Sequence, residues 1–318
     1  MPAPGERAAG GTVKMQKLAA RFPNSPTDFS ILYLGTTWLP RDLGPLLAFA
    51  RRRRIPVVAN QDGVGYPGWA GDRTDDVNRP LRRVLRASEH VIYQSAFSKL
   101  SSDLFLGEPP GSWEILPNAV DVDVFTPAPA RPADGPVLIL GGDQTQEYRL
   151  ELALRAFALV AERHPDARLL VTGRLVSPLE PLVDGLRLGG RVALVGEYTQ
   201  RDAPDVLRRG HLLLHTKVKD PCPTLVLEAM ATGLPVVYPA SGGTVELVGD
   251  EAGVGVPHPE SWERDEPPSP EALADAVDRV LANLDGFSAR ARSRAVGRFA
   301  LGPWLDRHAE LFERLAPA

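Results

Sequence analysis

Residues 220–246 read DPCPTLVLEAMATGLPVVYPASGGTVE, and the way this stretch must be built decides the fold. Just before it, His211-Leu212-Leu213-Leu214-His215 is a short apolar run after Gly210, which reads as a buried strand. Pro221 and Pro223 bar helix from the following loop, so a helix is expected to open near Thr224. Leu225, Leu227, Glu228 and Met230 keep helical spacing, and Gly233 and Pro235 end the helix. A second buried strand at 235–238 leads to a Gly242-Gly243 turn and then Glu246. In a parallel sheet such a loop lies at the carboxyl ends of the strands, where ligands bind. Free N–H groups at the helix start favour a diphosphate. A carboxylate one turn inside, Glu228, suits a ribose diol, and Asp220 suits sugar hydroxyls. Taken alone, the spacing is read more simply with Asp220 as a helix cap and Glu228 as a solvated side chain.

Outward from this stretch, strands alternate with helical patterns. Apolar strand candidates fall at 29–34, 55–59, 90–93 and 113–116, then at 136–140, 168–172, 191–195, 211–215 and 235–238. Helical periodicity occupies segments between them, such as 149–163 and 271–284. The alternation predicts parallel α/β layers. Residues 126–136 (TPAPARPADGP) lack periodicity and read as an interdomain linker. Residues 260–270 are charged and Pro-rich and read as a surface loop.

The flanking residues add a resemblance. Asp220…Glu228, Ala229-Met230-Ala231, Gly233, Pro235-Val236-Val237, Gly242-Gly243 and Glu246 resemble the donor-binding signature of glycosyltransferase family 4, E-x7-E followed by AMAxGxPVV and GGxxE. Tyr93-Gln94-Ser95 with Leu116-Pro117-Asn118-Ala119-Val120-Asp121 and Phe125 resemble that family's PNxVDxxxF pattern, which closes its first domain. Gly10-Gly11-Thr12, ahead of an amphipathic helix, is similar to its N-terminal glycine loop. The resemblance implies a GT-B fold, with two Rossmann-like α/β/α domains whose parallel sheets face across a cleft. Residues 1–125 would form the acceptor-side domain and 126–302 the donor domain. The helix expected at 303–315 would pack back on the first domain. The strand that should precede the glycine loop has no counterpart in the polar residues 1–9, so a shortened, irregular start to the first domain is expected.

The implied activity is sugar transfer, with retention, from a nucleotide diphosphate sugar to an unidentified acceptor. Neither cofactor nor metal is expected. Glu228 would hold the ribose, Asp220 the donor sugar, and Thr224 and Leu225 amides the diphosphate or sugar, with Cys222 in the same loop. Gly11, Gly243 and Glu246 would also touch the donor. Asp62, where many members have a His, is a candidate for hydrogen bonding to sugar or acceptor, or a turn residue before Gly63. Tyr198 would stack on the base or pack. The family's Arg and Lys that grip the diphosphate fall on Asp143 and Tyr148. Arg149 is either the substitute or a solvated helix-start residue, and Lys217 and Lys219 are further candidates. The lost cations motivate a competing reading, a catalytically silent relative that binds a nucleotide sugar or a partner.

Other signals are weaker. Gly63-Val64-Gly65-Tyr66-Pro67-Gly68 spells GxGxxG after a strand, but Pro67-Gly68-Trp69-Ala70-Gly71 is not expected to open the helix that a dinucleotide site needs. Asp121-Val122-Asp123 looks like a metal-binding DxD yet falls inside the PNxVD pattern. Residues 51–54 (RRRR) end a helix and read as a solvated face, or else as a peripheral contact for an anionic membrane or lipid acceptor. A net charge of −4 over 318 residues argues against a nucleic-acid partner. The single cysteine excludes an internal disulfide framework. No apolar run of about 18 residues is present to span a membrane, and a cytoplasmic setting is expected.

Overall fold

The computed structural model describes residues 10–316, so the expected irregular start at 1–9 lies outside the described residues. The first half comprises α1 (Gly10–Arg21), β1 (Leu32–Gly35), α2 (Leu43–Arg53), β2 (Val57–Gln61), α3 (Pro67–Ala70), α4 (Thr74–Ala87), β3 (His90–Tyr93), α5 (Ala96–Phe105) and β4 (Ser112–Ile115). Its four strands pair in parallel in the order β1-β2-β3-β4. The second half begins with β5 (Val137–Leu140), α6 (Glu147–Arg163), β6 (Arg168–Thr172), α7 (Glu180–Gly185), β7 (Val192–Gly196), α8 (Ala203–Leu207) and β8 (Leu212–Leu214). It continues through α9 (Thr224–Ala231), β9 (Val236–Pro239), α10 (Thr244–Val248), β10 (Gly253–Val256), α11 (Pro270–Ala282), α12 (Leu284–Phe299) and α13 (Leu301–Leu315).

The second sheet is parallel in the order β10-β9-β8-β5-β6-β7. The order reverses between β5 and β8, and a crevice opens at their carboxyl ends, the position where open α/β sheets take ligands. The strands are apolar runs because helices cover both faces. Leu138, Leu140, Leu212 and Leu214 pack against α6 and α11, while Ile139, Leu213 and Val236 pack against α9 and α12. β10 has no counterpart among the expected strands, since its Gly-Val-Gly-Val sequence offers too little apolar bulk to stand out. The Pro/Ala-rich segment 126–136 carries no helix or strand, and Arg208 ties Thr126 to the second half through its carbonyl at 2.9 Å.

The chain crosses between the halves twice. Val120 and Ala300 form a parallel bridge, with Leu301 N donating to Val120 O at 3.0 Å. Beyond it α13 returns to the first sheet: Trp304 packs with Leu18 and Ala119, and Leu311 with Val58 and Ile92. A buried polar chain fixes this packing. Asn60 Nδ2 donates to Tyr33 OH at 2.9 Å, so the phenol donates onward to His308 Nε2 at 3.1 Å. His308 Nδ1–H is left for the Trp304 carbonyl at 2.8 Å.

Two expectations are corrected. A one-turn helix does form at Pro67–Ala70, because Pro at its first position is preset for helix; Gly71, at φ +55°, then ends the turn. Residues 260–270 are more than a surface loop. Trp262 reaches the first half, stacking on Phe97 with centroids 5.7 Å apart and meeting Phe105 and Tyr66 edge-on. The Trp262 carbonyl accepts from Gly68 N at 2.8 Å, an approach that any Cβ at Gly68 would block by colliding with the Arg264 backbone.

Candidate functional site

The crevice between β5 and β8 is the floor of a cleft of about 760 Å³ that both halves line. Glycines shape the floor. A Cβ on Gly141 would collide with Leu225, and one on Gly173 would lie 2.5 Å from the Gly142 carbonyl. The loop after β8 is held from behind: Gly243 N donates to Asp220 O at 2.9 Å, and a side chain at Gly243 would strike the Pro221 carbonyl. α9 then begins at Thr224 after Pro223 with no side chain capping it, and its first residues, Thr224 and Leu225, line the cleft.

Charges gather around this loop. Asp220 Oδ2 lies 3.2 Å from Lys217 Nζ and 3.7 Å from His215 Nε2. Burial favours the neutral acid most strongly of any single effect, but Lys217 together with His215 and Arg149 outweighs it and holds the Asp220 carboxyl below the usual carboxylate range. Arg149 is 4% exposed and donates through Nη1 to the Asp143 carbonyl; its Nε has no partner. It is therefore not the solvated helix-start residue that its position allows. Glu228 is equally enclosed, accepts from Gln200 Nε2 at 2.7 Å, and has its pKa raised by burial. Burial also pushes the Cys222 thiol up to about 12, so it stays protonated. Its sulfur accepts from Asn118 N at 3.3 Å, which ties the loop to the first half.

The structure brings together Gly11, Asp62, Arg149, Tyr198, Lys217, Asp220, Cys222, Thr224, Leu225 and Glu228 along the cleft. Two predicted site residues stand apart. Gly243 serves the close backbone approach behind the loop, and Glu246 caps α5 of the opposite half, accepting from Ala96 N at 2.8 Å and Phe97 N at 2.9 Å. Asp62 lies in the cleft with Thr37 donating to its carboxylate and its own N–H bound to Thr36 Oγ1 at 2.9 Å. Tyr198 both lines the cleft and packs on the core beneath α9. Outside the cleft, Asp121 Oδ1 accepts from Asp123 and Val124 amides, which makes the DxD-like run a turn.

Sequence reasoning missed His215, Gln200 and Lys14. His215 closes a strand that reads as purely apolar, and Gln200 lies in a loop without a motif. Lys14 differs from Lys17 only by one helical turn. It is 3% exposed, lines the cleft and donates to Asn60 Oδ1 at 2.6 Å.

The buried histidines predict a pH dependence. Burial depresses His215 to about 3 and His308 to about 4, against an ordinary value of 6.5. Each contributes stability that is fully present above pH 6.5 and is lost as pH falls toward its folded value. The slope is at most about 1.4 kcal/mol per histidine per pH unit. Glu228, with its raised pKa, acts in the opposite sense and offsets one histidine at most. Urea midpoints are therefore expected to fall between pH 7 and pH 5; a flat or rising profile would contradict the neutral burial of both rings.

Two parallel-sheet α/β domains with a cleft at a strand-order switch define the GT-B class of glycosyltransferase folds. Residues 123–295, more than half of the chain, match the family model of the glycosyl transferases group 1, and the chain belongs to that family. It is 23% identical over 219 residues to the phosphatidylinositol N-acetylglucosaminyltransferase gpi3 subunit of Schizosaccharomyces pombe, covering 68% of this chain and 46% of that one. To the glycogen synthase of Ralstonia nicotianae it is 28% identical over 264 residues, covering 80% and 45%. It thus spans less than half the length of both, and of the human and Arabidopsis thaliana counterparts of the first. Among solved structures, sucrose-phosphate synthase from Thermosynechococcus elongatus superposes with a TM-score of 0.74 at 18% identity, covering 99% of this chain and 96% of that one. Anabaena HepE in complex with UDP gives 0.73 at 17%, covering 95% and 81%. At these identities the structural likeness speaks for the fold alone. No helix among the described residues is long and apolar enough to cross a membrane.

Proposed function

We propose that the protein is a family 4 retaining glycosyltransferase that takes a sugar from a nucleotide diphosphate donor in this cleft. The observation that carries the reading is Glu228, a buried carboxylate one turn inside a helix whose uncapped start faces the same cleft as Asp220 and Lys217. Glu228 receives the ribose hydroxyls, and the Thr224 and Leu225 amides receive the diphosphate or the sugar. Asp220, kept ionised by Lys217, accepts hydrogen bonds from the donor sugar. Arg149 and Lys217 supply charge beside the leaving diphosphate, replacing the Arg and Lys that the resemblance leads one to expect. Asp62 faces the sugar or acceptor from the opposite wall, and Tyr198 lies beside the base. The complexes of HepE with UDP and with UDP-glucose support a nucleotide sugar as ligand.

With retention, the bond from the anomeric carbon to the phosphate oxygen breaks and the acceptor oxygen bonds on the same face. The acceptor proton passes to the departing phosphate oxygen, so no side chain need act as base. The protein contributes positioning and charge stabilisation, and no metal is required. Incubation with UDP-, GDP- and ADP-sugars, followed by proton NMR, tests this reading. Slow release of diphosphate with the sugar first appearing as the donor's anomer is expected. Diphosphate binding without turnover of any donor would instead favour a silent, ligand-binding relative.

A further inference from the structure

Three lysines line the cleft, and their partners differ. Lys217 Nζ is shared with Asp220 at 3.2 Å, and Lys219 Nζ is neutralised by Asp265 at 2.7 Å. Lys14, on α1 of the first half, is more deeply buried than Lys217 and about as buried as Lys219, yet it rests on a neutral amide oxygen, Asn60 Oδ1. Among the described residues no carboxylate lies within ion-pair distance of it, and Asp62 and Cys222 are the charged or titratable groups that act on it from further away. An ammonium has three N–H donors, and Asn60 takes one.

The hydrogen-bond network around Asn60 fixes the position of the Lys14 nitrogen and offers it no counter-charge. Asn60 Oδ1 also accepts from Gln94 Nε2 at 2.8 Å, and Gln94 Oε1 accepts from Asn118 Nδ2 at 2.9 Å. Asn118 Nδ2 further donates to the Cys222 carbonyl at 3.0 Å, in the loop that carries Asp220. Every member is a neutral amide. A buried ammonium without a counter-ion is costly, so burial lowers the Lys14 pKa, and an anion bound beside it favours the charged form. Arg149, which lines the same cleft from α6, donates to the Asp143 carbonyl and has the Asp220 and Asp143 carboxylates acting on it.

We propose that Lys14 is a phosphoryl-anion-binding residue, contributed by the first half to the cleft. This rests on the donor reading above for its main ligand, the diphosphate of the nucleotide sugar; a phosphorylated acceptor presents the same chemistry. A phosphoryl group bound to Lys14 on a donor seated on the second half draws on both halves at once, so ligand charge and the seating of the two domains are linked.

The test compares wild type with Lys14→Met, which keeps the buried stem and removes the charge. Asn60 Oδ1 retains Gln94, so the substitution orphans no acceptor, and without ligand the variant is expected to melt no lower than wild type. UDP, GDP and ADP are titrated calorimetrically beside uridine, guanosine and adenosine, and beside inorganic phosphate. Lys14→Met is expected to weaken the diphosphate that wild type binds by about tenfold or more while leaving its nucleoside within about twofold. Weakened inorganic phosphate with unchanged diphosphate would assign the anion to the acceptor. Wild-type affinity for all of these anions in Lys14→Met would overturn the proposal, as would a marked drop in melting temperature with nucleoside binding lost. If wild type bound no diphosphate, the donor reading would fail and the phosphate titration alone would decide for or against Lys14.

Discussion

Glu228→Ala is expected to weaken nucleoside diphosphate binding about a hundredfold or more while the protein stays folded. Two ribose hydroxyls donating to a buried carboxylate form charge-assisted hydrogen bonds, each contributing about 1.5–3 kcal/mol. Losing both removes about 3 kcal/mol or more, two decades of affinity. In the free protein the same carboxylate is a liability. It is 4% exposed, accepts a hydrogen bond from Gln200, and its pKa is raised by burial. Removing it therefore costs little stability, and Glu228→Gln, which preserves an acceptor for Gln200, costs less. Calorimetric titration with thermal melts of both variants separates the two effects. Undiminished affinity in Glu228→Ala would show that this carboxylate does not hold the ribose.

Asp265→Ala is expected to destabilise the fold by about 3–5 kcal/mol, the largest effect on stability anticipated for this chain. The side chains of Lys219 and Asp265 are 5% and 7% exposed and pair at 2.7 Å. Asp265 also accepts from Tyr66 OH at 3.1 Å and from Gln146 Nε2 at 3.1 Å. Its loss leaves the Lys219 ammonium buried with only the Arg264 carbonyl, at 3.3 Å, and the Tyr66 ring, at 5.0 Å. Because Tyr66 belongs to the first half, the pair also anchors the Trp262 segment that bridges the domains. A Lys219→Met, Asp265→Leu double variant is expected to recover much of the loss, since an apolar pair has no stranded charge. Urea unfolding of the single and double variants checks this; a loss below about 1 kcal/mol in Asp265→Ala would mean that water reaches Lys219 and screens it.

The legibility of the sequence varies with the physics involved. Buried parallel strands announce themselves as short apolar runs, so β5, β6, β8 and β9 stand out, and two prolines fix the start of α9 at Thr224. β10 is hidden because Gly-Val alternation carries little apolar area. The site is readable where its residues are neighbours in sequence, as in the loop from Asp220 to Glu228. It is unreadable where burial alone confers the role. Lys14 and Lys17 are one turn apart on α1, yet Lys17 Nζ meets the Ala119 carbonyl at 2.8 Å while Lys14 faces the cleft. Glu246 shows the reverse case. Its spacing after the Gly-Gly turn suggests a donor contact, but the tertiary arrangement commits both its oxygens to the α5 amides. Polar, Pro-rich sequence conceals the bridging role of residues 260–270 as well, since the partners of Trp262 lie far back in the chain, at Tyr66, Phe97 and Phe105.

The central claim is that this cleft is built around a nucleotide diphosphate. Its most direct test is the melting temperature of the wild-type protein with UDP, GDP and ADP at millimolar concentration. A ligand present at about a hundred times its dissociation constant stabilises the folded state by about 2.7 kcal/mol, a shift of several degrees. At least one of the three is expected to raise the melting temperature by that much while its nucleoside does not. No shift with any of them would contradict the account.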